Sequence, residues 1–169
     1  MLEFYHMENN AFKNYANGLF SVLHDNMSQI APTGNSREVD FIFWYQTMQE
    51  ELQGGKRNII IIFPKDSHEI VGYFQYSIQE NVFLMEEIQI RKSYQGKCNI
   101  FRDLYAFVFK DIGAECDCVE AYANKKNTKS IAILRKLGLS AVGENKSGTS
   151  YHFRGTYADL LKWHKGKHR

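Results

Sequence analysis

The stretch Glu86-Glu87-Ile88-Gln89-Ile90-Arg91-Lys92-Ser93-Tyr94-Gln95-Gly96-Lys97-Cys98-Asn99-Ile100 decides how this chain is read. It predicts a strand, then a tight Gln95-Gly96-Lys97 turn, then the first turn of a helix that runs toward Ile112. A helix entered in this way starts with backbone N–H groups that have no partner of their own. Those donors, the positive end of the helix dipole and the Lys97 side chain suit an anion, most naturally a phosphate or pyrophosphate. The turn has one glycine, and Cys98 and Ile100 stand where phosphate loops usually carry further small residues.

The elements on either side follow from pattern. Leu2 to His6 alternates weakly as a first strand. Asn10 to Gln29 carries Phe12, Tyr15, Leu19, Val22, Leu23 and Met27 at helical spacing. Ser36 caps a second helix that runs to Gln53, and Gly54-Gly55 stops it. Arg57–Pro64, Glu69–Ile78 and Val82–Ile90 read as three strands of an antiparallel meander. A helix from Cys98 to Ile112 then leads to a strand at Val119–Ala123. A further helix from Asn127 to Leu137 ends at Gly138. A hairpin of Ser140–Asn145 and Thr149–Arg154 and a short helix from Tyr157 to His164 complete the order. Strands joined through a helix lie parallel, so the strand before Gln95 and the strand at Val119 are expected side by side. The expectation is one domain over residues 1–169 of α+β class: a single mixed, mostly antiparallel sheet with helices on both faces.

Composition narrows the function. A chain of 169 residues that is 44% hydrophobic and 14% aromatic is long enough to bury a full core. A net charge of +2 offers no large basic field, so no nucleic-acid partner is expected. The basic end, Lys165 to Arg169, reads as a frayed, solubilising terminus. The aliphatic run Ile59–Phe63 is far shorter than the ~18–20 residues that span a bilayer, and Met1-Leu2-Glu3-Phe4 has no basic leader, so no membrane partner is expected. Three cysteines, with Cys116 and Cys118 too close for an ordinary bridge or a zinc site, point to no metal and to a reduced, cytoplasmic setting.

Two motifs together carry a resemblance. Ile90-Arg91-Lys92-Ser93-Tyr94-Gln95-Gly96-Lys97 resembles the cofactor-loop entry of the GNAT superfamily of N-acetyltransferases. Asn127-Thr128-Lys129-Ser130-Ile131-Ala132-Ile133-Leu134-Arg135-Lys136-Leu137-Gly138-Leu139 is similar to that family's Asn-led helix and Lys-Leu-Gly ending. The order of elements along nearly the whole chain agrees. The resemblance implies acetyl-CoA at a splayed parallel strand pair. It places pantetheine along Ile88, Gln89 and Ile90, and pyrophosphate on the amides of Gln95, Gly96, Lys97, Cys98, Asn99 and Ile100. Asn127 and Ser130 would hold the far side. It also implies direct transfer of the acetyl group to an amine, of a small molecule or a peptide, by a monomer or homodimer. The alternative on the same fold is a catalytically weak or inactive acyl-CoA-binding sensor, because Cys98, Ile100 and Leu134 depart from the family pattern.

The chemistry needs a base, because an ammonium has no lone pair to attack with. Glu86 occupies the strand position where the family carries one; Glu87 and Glu120 are alternatives. A carboxylate on an apolar strand face is desolvated, which raises its pKa. Leu134 stands where the family places the tyrosine that protonates the leaving thiolate, so Tyr122 is expected to substitute, with Tyr94 the other candidate. The aromatic cluster Phe41, Phe43, Trp44 and Tyr45 is read either as core or as part of an acceptor pocket.

Overall fold

The structure is a computed structural model that describes residues 1–96, 99–112 and 116–166. It contains a seven-stranded mixed sheet in the order β1-β2-β3-β4-β5-β7-β6 and five α-helices. The strands are β1 (Leu2–His6), β2 (Arg57–Pro64), β3 (Gly72–Gln79), β4 (Val82–Ile90), β5 (Cys118–Asn124), β6 (Ser140–Glu144) and β7 (Ser150–Thr156). The helices are α1 (Phe12–Met27), α2 (Arg37–Gln53), α3 (Ile100–Ile112), α4 (Thr128–Lys136) and α5 (Tyr157–Lys165). β4 and β5 run parallel, whereas β1 with β2, β5 with β7 and β6 with β7 run antiparallel. This is the expected α+β class. Among the described residues no helix is long and apolar enough to cross a membrane.

The chain divides into two compact units: Met1–Tyr76 with Glu87–Cys98, and Ser77–Glu86 with Asn99–Arg169. In the first unit Ile59, Ile60, Ile61 and Ile62 of β2 are at most 1% exposed, so both faces of this strand are covered. Ile59 and Ile61 pack with Leu19 and Val22 of α1 and with Met48 and Leu52 of α2. The aromatic cluster of α2 divides. Phe41 and Trp44 meet Phe20, Tyr45 stacks on Phe12, and Phe43 is exposed. The Ser36 hydroxyl accepts from the Val39 amide at 3.3 Å, the local bond that starts α2.

In the second unit α3 packs through Leu104, Tyr105 and Val108, and the Tyr105 hydroxyl donates to Met85 Sδ at 3.0 Å. Tyr157 of α5 meets Phe83 and Phe109 edge to face. The parallel register pairs Val82 with Cys118 and Met85 with Ala121; β4 then runs on to Ile90 and β5 to Asn124.

Expected boundaries shift by one or two residues at several element ends, and by three at one. β3 begins at Gly72 rather than Glu69. The Glu69 amide is taken by the Ser67 hydroxyl at 3.1 Å, and the Ile70 carbonyl by Arg91 Nε at 2.9 Å. Side chains therefore consume the backbone groups that a ladder would need. At Gly72 itself the strands crowd: a Cβ there would lie 2.7 Å from the Gln89 carbonyl oxygen. Backbone cannot yield as a flexible side chain can. Gly72→Ala is therefore expected to cost about 1–3 kcal/mol, read as a lower denaturation midpoint in urea.

Candidate functional site

In the first unit the end of β4 is organised by Asn26, near the C-terminus of α1. Its Nδ2 donates to Gln89 Oε1 at 2.9 Å and to the Ile90 carbonyl at 3.0 Å. Gln89 Nε2 then donates to Glu87 Oε1 at 2.8 Å. Asn26 and Gln89 are buried, where polar groups must be paired to be tolerated. Gln95 Nε2 donates to the same Ile90 carbonyl at 2.7 Å, so both lone pairs of that oxygen are engaged. Ile90 has committed its carbonyl to side chains. The Gln89 carbonyl points the other way, toward Gly72 of β3.

The following loop is tied down by charge. Arg91 reaches Asp25 and Glu69, each at 3.5 Å, and Lys92 Nζ donates to Gln29 Oε1. Lys92–Tyr94 forms one 3₁₀ turn. Gly96 has φ +73°, and nothing lies within 4 Å of the place a Cβ would take, so backbone conformation and not space calls for glycine there. Lys97 and Cys98 lie outside the described residues.

Tyr73 belongs to the same buried cluster. Burial first, and the nearby Glu87 carboxylate second, raise its hydroxyl well above the ordinary tyrosine range. The hydroxyl is close enough to Glu87 for that influence, but it meets no partner at hydrogen-bond geometry among the described residues.

In the second unit the start of α3 places Asn99 and Ile100. The Asp103 amide donates to the Asn99 carbonyl at 2.9 Å, the first bond of the helix. Ile100 is 3% exposed, so its bulk is turned into the core rather than toward the helix entrance. Asn127 caps α4, its Oδ1 accepting from the Ser130 amide at 3.0 Å. The two residues thus form one local unit, with Asn127 Nδ2 unpaired among the described residues. Leu134 is buried, one of the apolar contacts of α4.

A polar face lies on β4, β5 and β7 of this unit. Glu86 is half-buried and accepts from the Ser77 hydroxyl at 2.9 Å. Leu84 is registered beside Glu120, so strand alternation puts Glu86 and Glu120 on the same side. Opposite Glu120 and Tyr122 on β7 stand Arg154 and His152. His152 Nε2 lies 3.1 Å from Glu120 Oε2, and Arg154 Nε 3.5 Å from Glu120 Oε1. The Tyr122 and His152 rings stack at 4.6 Å with 10° between planes. Tyr122 is 47% exposed, which leaves its hydroxyl accessible. Cys118 Sγ, first, and Glu120 hold the Arg154 guanidinium further toward its charged form.

Sequence reasoning missed His152 and Asn26. His152 becomes visible only once β7, rather than β6, is placed beside β5. Asn26 shows no local signal, since its partners are more than sixty positions away. Among the described residues no group of His, Cys, Asp and Glu side chains could hold a metal ion.

No family model matches the chain, and no curated protein matches it in sequence. Solved structures do. An acetyltransferase from Thermus thermophilus has TM-score 0.68 at 19% identity, over 92% of this chain and 97% of that one. A putative GNAT-family acetyltransferase from Desulfovibrio desulfuricans has TM-score 0.68 at 15% identity, over 92% and 99%. The PaiA N-acetyltransferase of Thermoplasma acidophilum, solved in complex with coenzyme A, has TM-score 0.68 at 14% identity, over 93% and 99%. The chain has the GNAT acetyltransferase fold.

Two outcomes are expected for Tyr73→Phe. Removing a buried hydroxyl without a hydrogen bond should stabilise the protein by about 1 kcal/mol in urea denaturation. In the parent, a raised native pKa means the unfolded state loses its proton first. Stability is therefore full below pH ~10 and falls as pH rises beyond it, and Tyr73→Phe should flatten that alkaline arm.

Proposed function

We propose that the chain is an acetyl-CoA-dependent N-acetyltransferase that moves an acetyl group directly to an amine of a small molecule or peptide. The observation that carries this reading is the parallel register of β4 and β5, which ends at Met85↔Ala121 while β4 continues for five residues. Strand backbone beyond a ladder keeps donors and acceptors for an extended ligand. In this reading Ile88 offers both backbone groups to pantetheine and Ile90 its amide alone, while Gln89, whose carbonyl faces Gly72 of β3, lies between them and holds that stretch of strand through its side chain. Gln95, Gly96, Lys97, Cys98, Asn99 and Ile100 receive the pyrophosphate at the start of α3. The buried Ile100 side chain supports the fit, because it leaves its amide uncovered on the side of the helix entrance. Asn127 Nδ2 and Ser130 are the groups from α4.

Glu86 takes the proton of the acceptor ammonium, directly or through water, so that the nitrogen lone pair can attack the thioester carbon. As the carbon–sulfur bond breaks, Tyr122 gives its proton to the leaving thiolate and takes back the proton that the nitrogen sheds in becoming the amide, directly or through water. Ser77 fixes the Glu86 carboxylate, and the accessible Tyr122 hydroxyl is free to reach a reactant. The near-neutral charge supports an enzyme without a nucleic-acid partner, and we place it in the cytoplasm, off the membrane, as a monomer or homodimer.

One observation favours a second reading, an acyl-CoA-binding sensor: apolar Leu134, buried at the family's tyrosine position. The two readings separate by experiment. Isothermal titration should detect acetyl-CoA binding, and silence at millimolar cofactor would sink both. Turnover on some member of a broad amine panel is expected; binding without it selects the sensor. In the active protein Glu86→Gln should reduce kcat by about 10²–10⁴-fold, and an unchanged rate would remove Glu86 from the role of base.

A further inference from the structure

We propose that His152 is the positioning residue for Tyr122, through a chain that runs from Arg154 to Glu120 to His152 and ends in the stacked phenol. This rests on the reading of Tyr122 as the proton donor. Each link is a direct contact: 3.5 Å from Arg154 Nε to Glu120, 3.1 Å from Glu120 to His152 Nε2, and 4.6 Å between the nearly parallel rings. The carboxylate only accepts, so Nε2 of His152 carries a hydrogen and donates it. That bond fixes the imidazole plane. Arg154 holds the second carboxylate oxygen and prevents Glu120 from turning away.

Tyr122 needs such support. It is 47% exposed, and among the described residues its aromatic contact is the His152 ring. An exposed phenol otherwise samples several rotamers, and a proton donor that wanders by an ångström loses rate steeply. The direct register of Tyr122 with His152 brings their Cβ atoms close, which makes the stack a cross-strand pair. Such a pair could serve sheet stability alone. Glu120 and Arg154 are what distinguish it, since a stability pair needs no carboxylate to orient one ring.

The test compares His152→Ala, His152→Phe and Glu120→Gln with the parent protein by steady-state kinetics, and follows the Tyr122 ring protons by NMR in the protein without ligand. Loss of the stack in His152→Ala should move those signals downfield and lower kcat by ~10²-fold at unchanged KM for acetyl-CoA. His152→Phe should restore both the signals and most of the rate. Glu120→Gln should broaden the Tyr122 signals as the imidazole is released. Thermal melting of each variant confirms folding. Unmoved Tyr122 signals in a folded His152→Ala overturn the proposal, whether or not the protein turns over. So does an unchanged kcat in His152→Ala when Tyr122→Phe lowers it. If Tyr122→Phe turns over normally, the reading of Tyr122 as proton donor fails, and the ring-proton result alone then decides whether His152 positions it.

Discussion

Four registered pairs between β4 and β5, from Val82↔Cys118 to Met85↔Ala121, fix the second unit. Phe83, Met85, Val119 and Ala121 are all buried, so sliding either strand by one residue would turn these side chains outward and drive Leu84 and Glu120 inward. The apolar cost of that slip is several buried side chains at once. Because the register cannot slip, Glu120 and Tyr122 must face the side opposite the core, and so must their partners on β7. The polar face is thus a by-product of a hydrophobic constraint. Parallel pairing also requires a crossover, and α3 supplies it while sealing Met85 with the Tyr105 hydroxyl.

The first unit solves a different problem. Its interior holds Asn26 and Gln89 beside Tyr73, where an apolar core would be simpler. The amides form a connected set that ends on the Ile90 carbonyl, and nearly every group in it is paired. What this arrangement secures is orientation. The carbonyl that closes β4 is held from one side by α1 and from the other by Gln95, so the strand end and the loop that follows share one anchor. An apolar substitute for Asn26 could fill the volume but could not fix that direction.

Much of this is legible in the chain because it is locally encoded. Ser36 as a cap, Gly54-Gly55 as a stop, Arg57–Pro64 and Val82–Ile90 as strands, and Asn127 at the head of a helix all depend on neighbours within a few positions. The family resemblance of the two motifs leads to the fold that the solved structures share. The strand expected from Glu69 starts late, since hydropathy does not reveal that Ser67 and Arg91 claim its backbone. His152 is invisible for a deeper reason. A hairpin shows its two strands in sequence, but not which of them lies inside; here the later strand, β7, takes the inner place and β6 the edge. Asn26 likewise gains its meaning only from residues brought to it by folding. The face expected to be apolar around Glu86 leaves that carboxylate half-buried and bonded to Ser77 instead.

The four consecutive isoleucines of β2 carry one more consequence, for biosynthesis. A segment so apolar and so rich in β-branched residues is a template for cross-β association whenever it is bare. Its order of appearance protects it. β1 leaves the ribosome well before it, and its register runs from Leu2↔Pro64 to His6↔Ile60, so a partner for one edge is waiting when the isoleucines emerge. Arg57 before them and Lys65 and Asp66 after them add charge at both ends, as gatekeepers do. Nascent chains that lack β1 would expose this edge longest, and would be the ones that chaperones must hold.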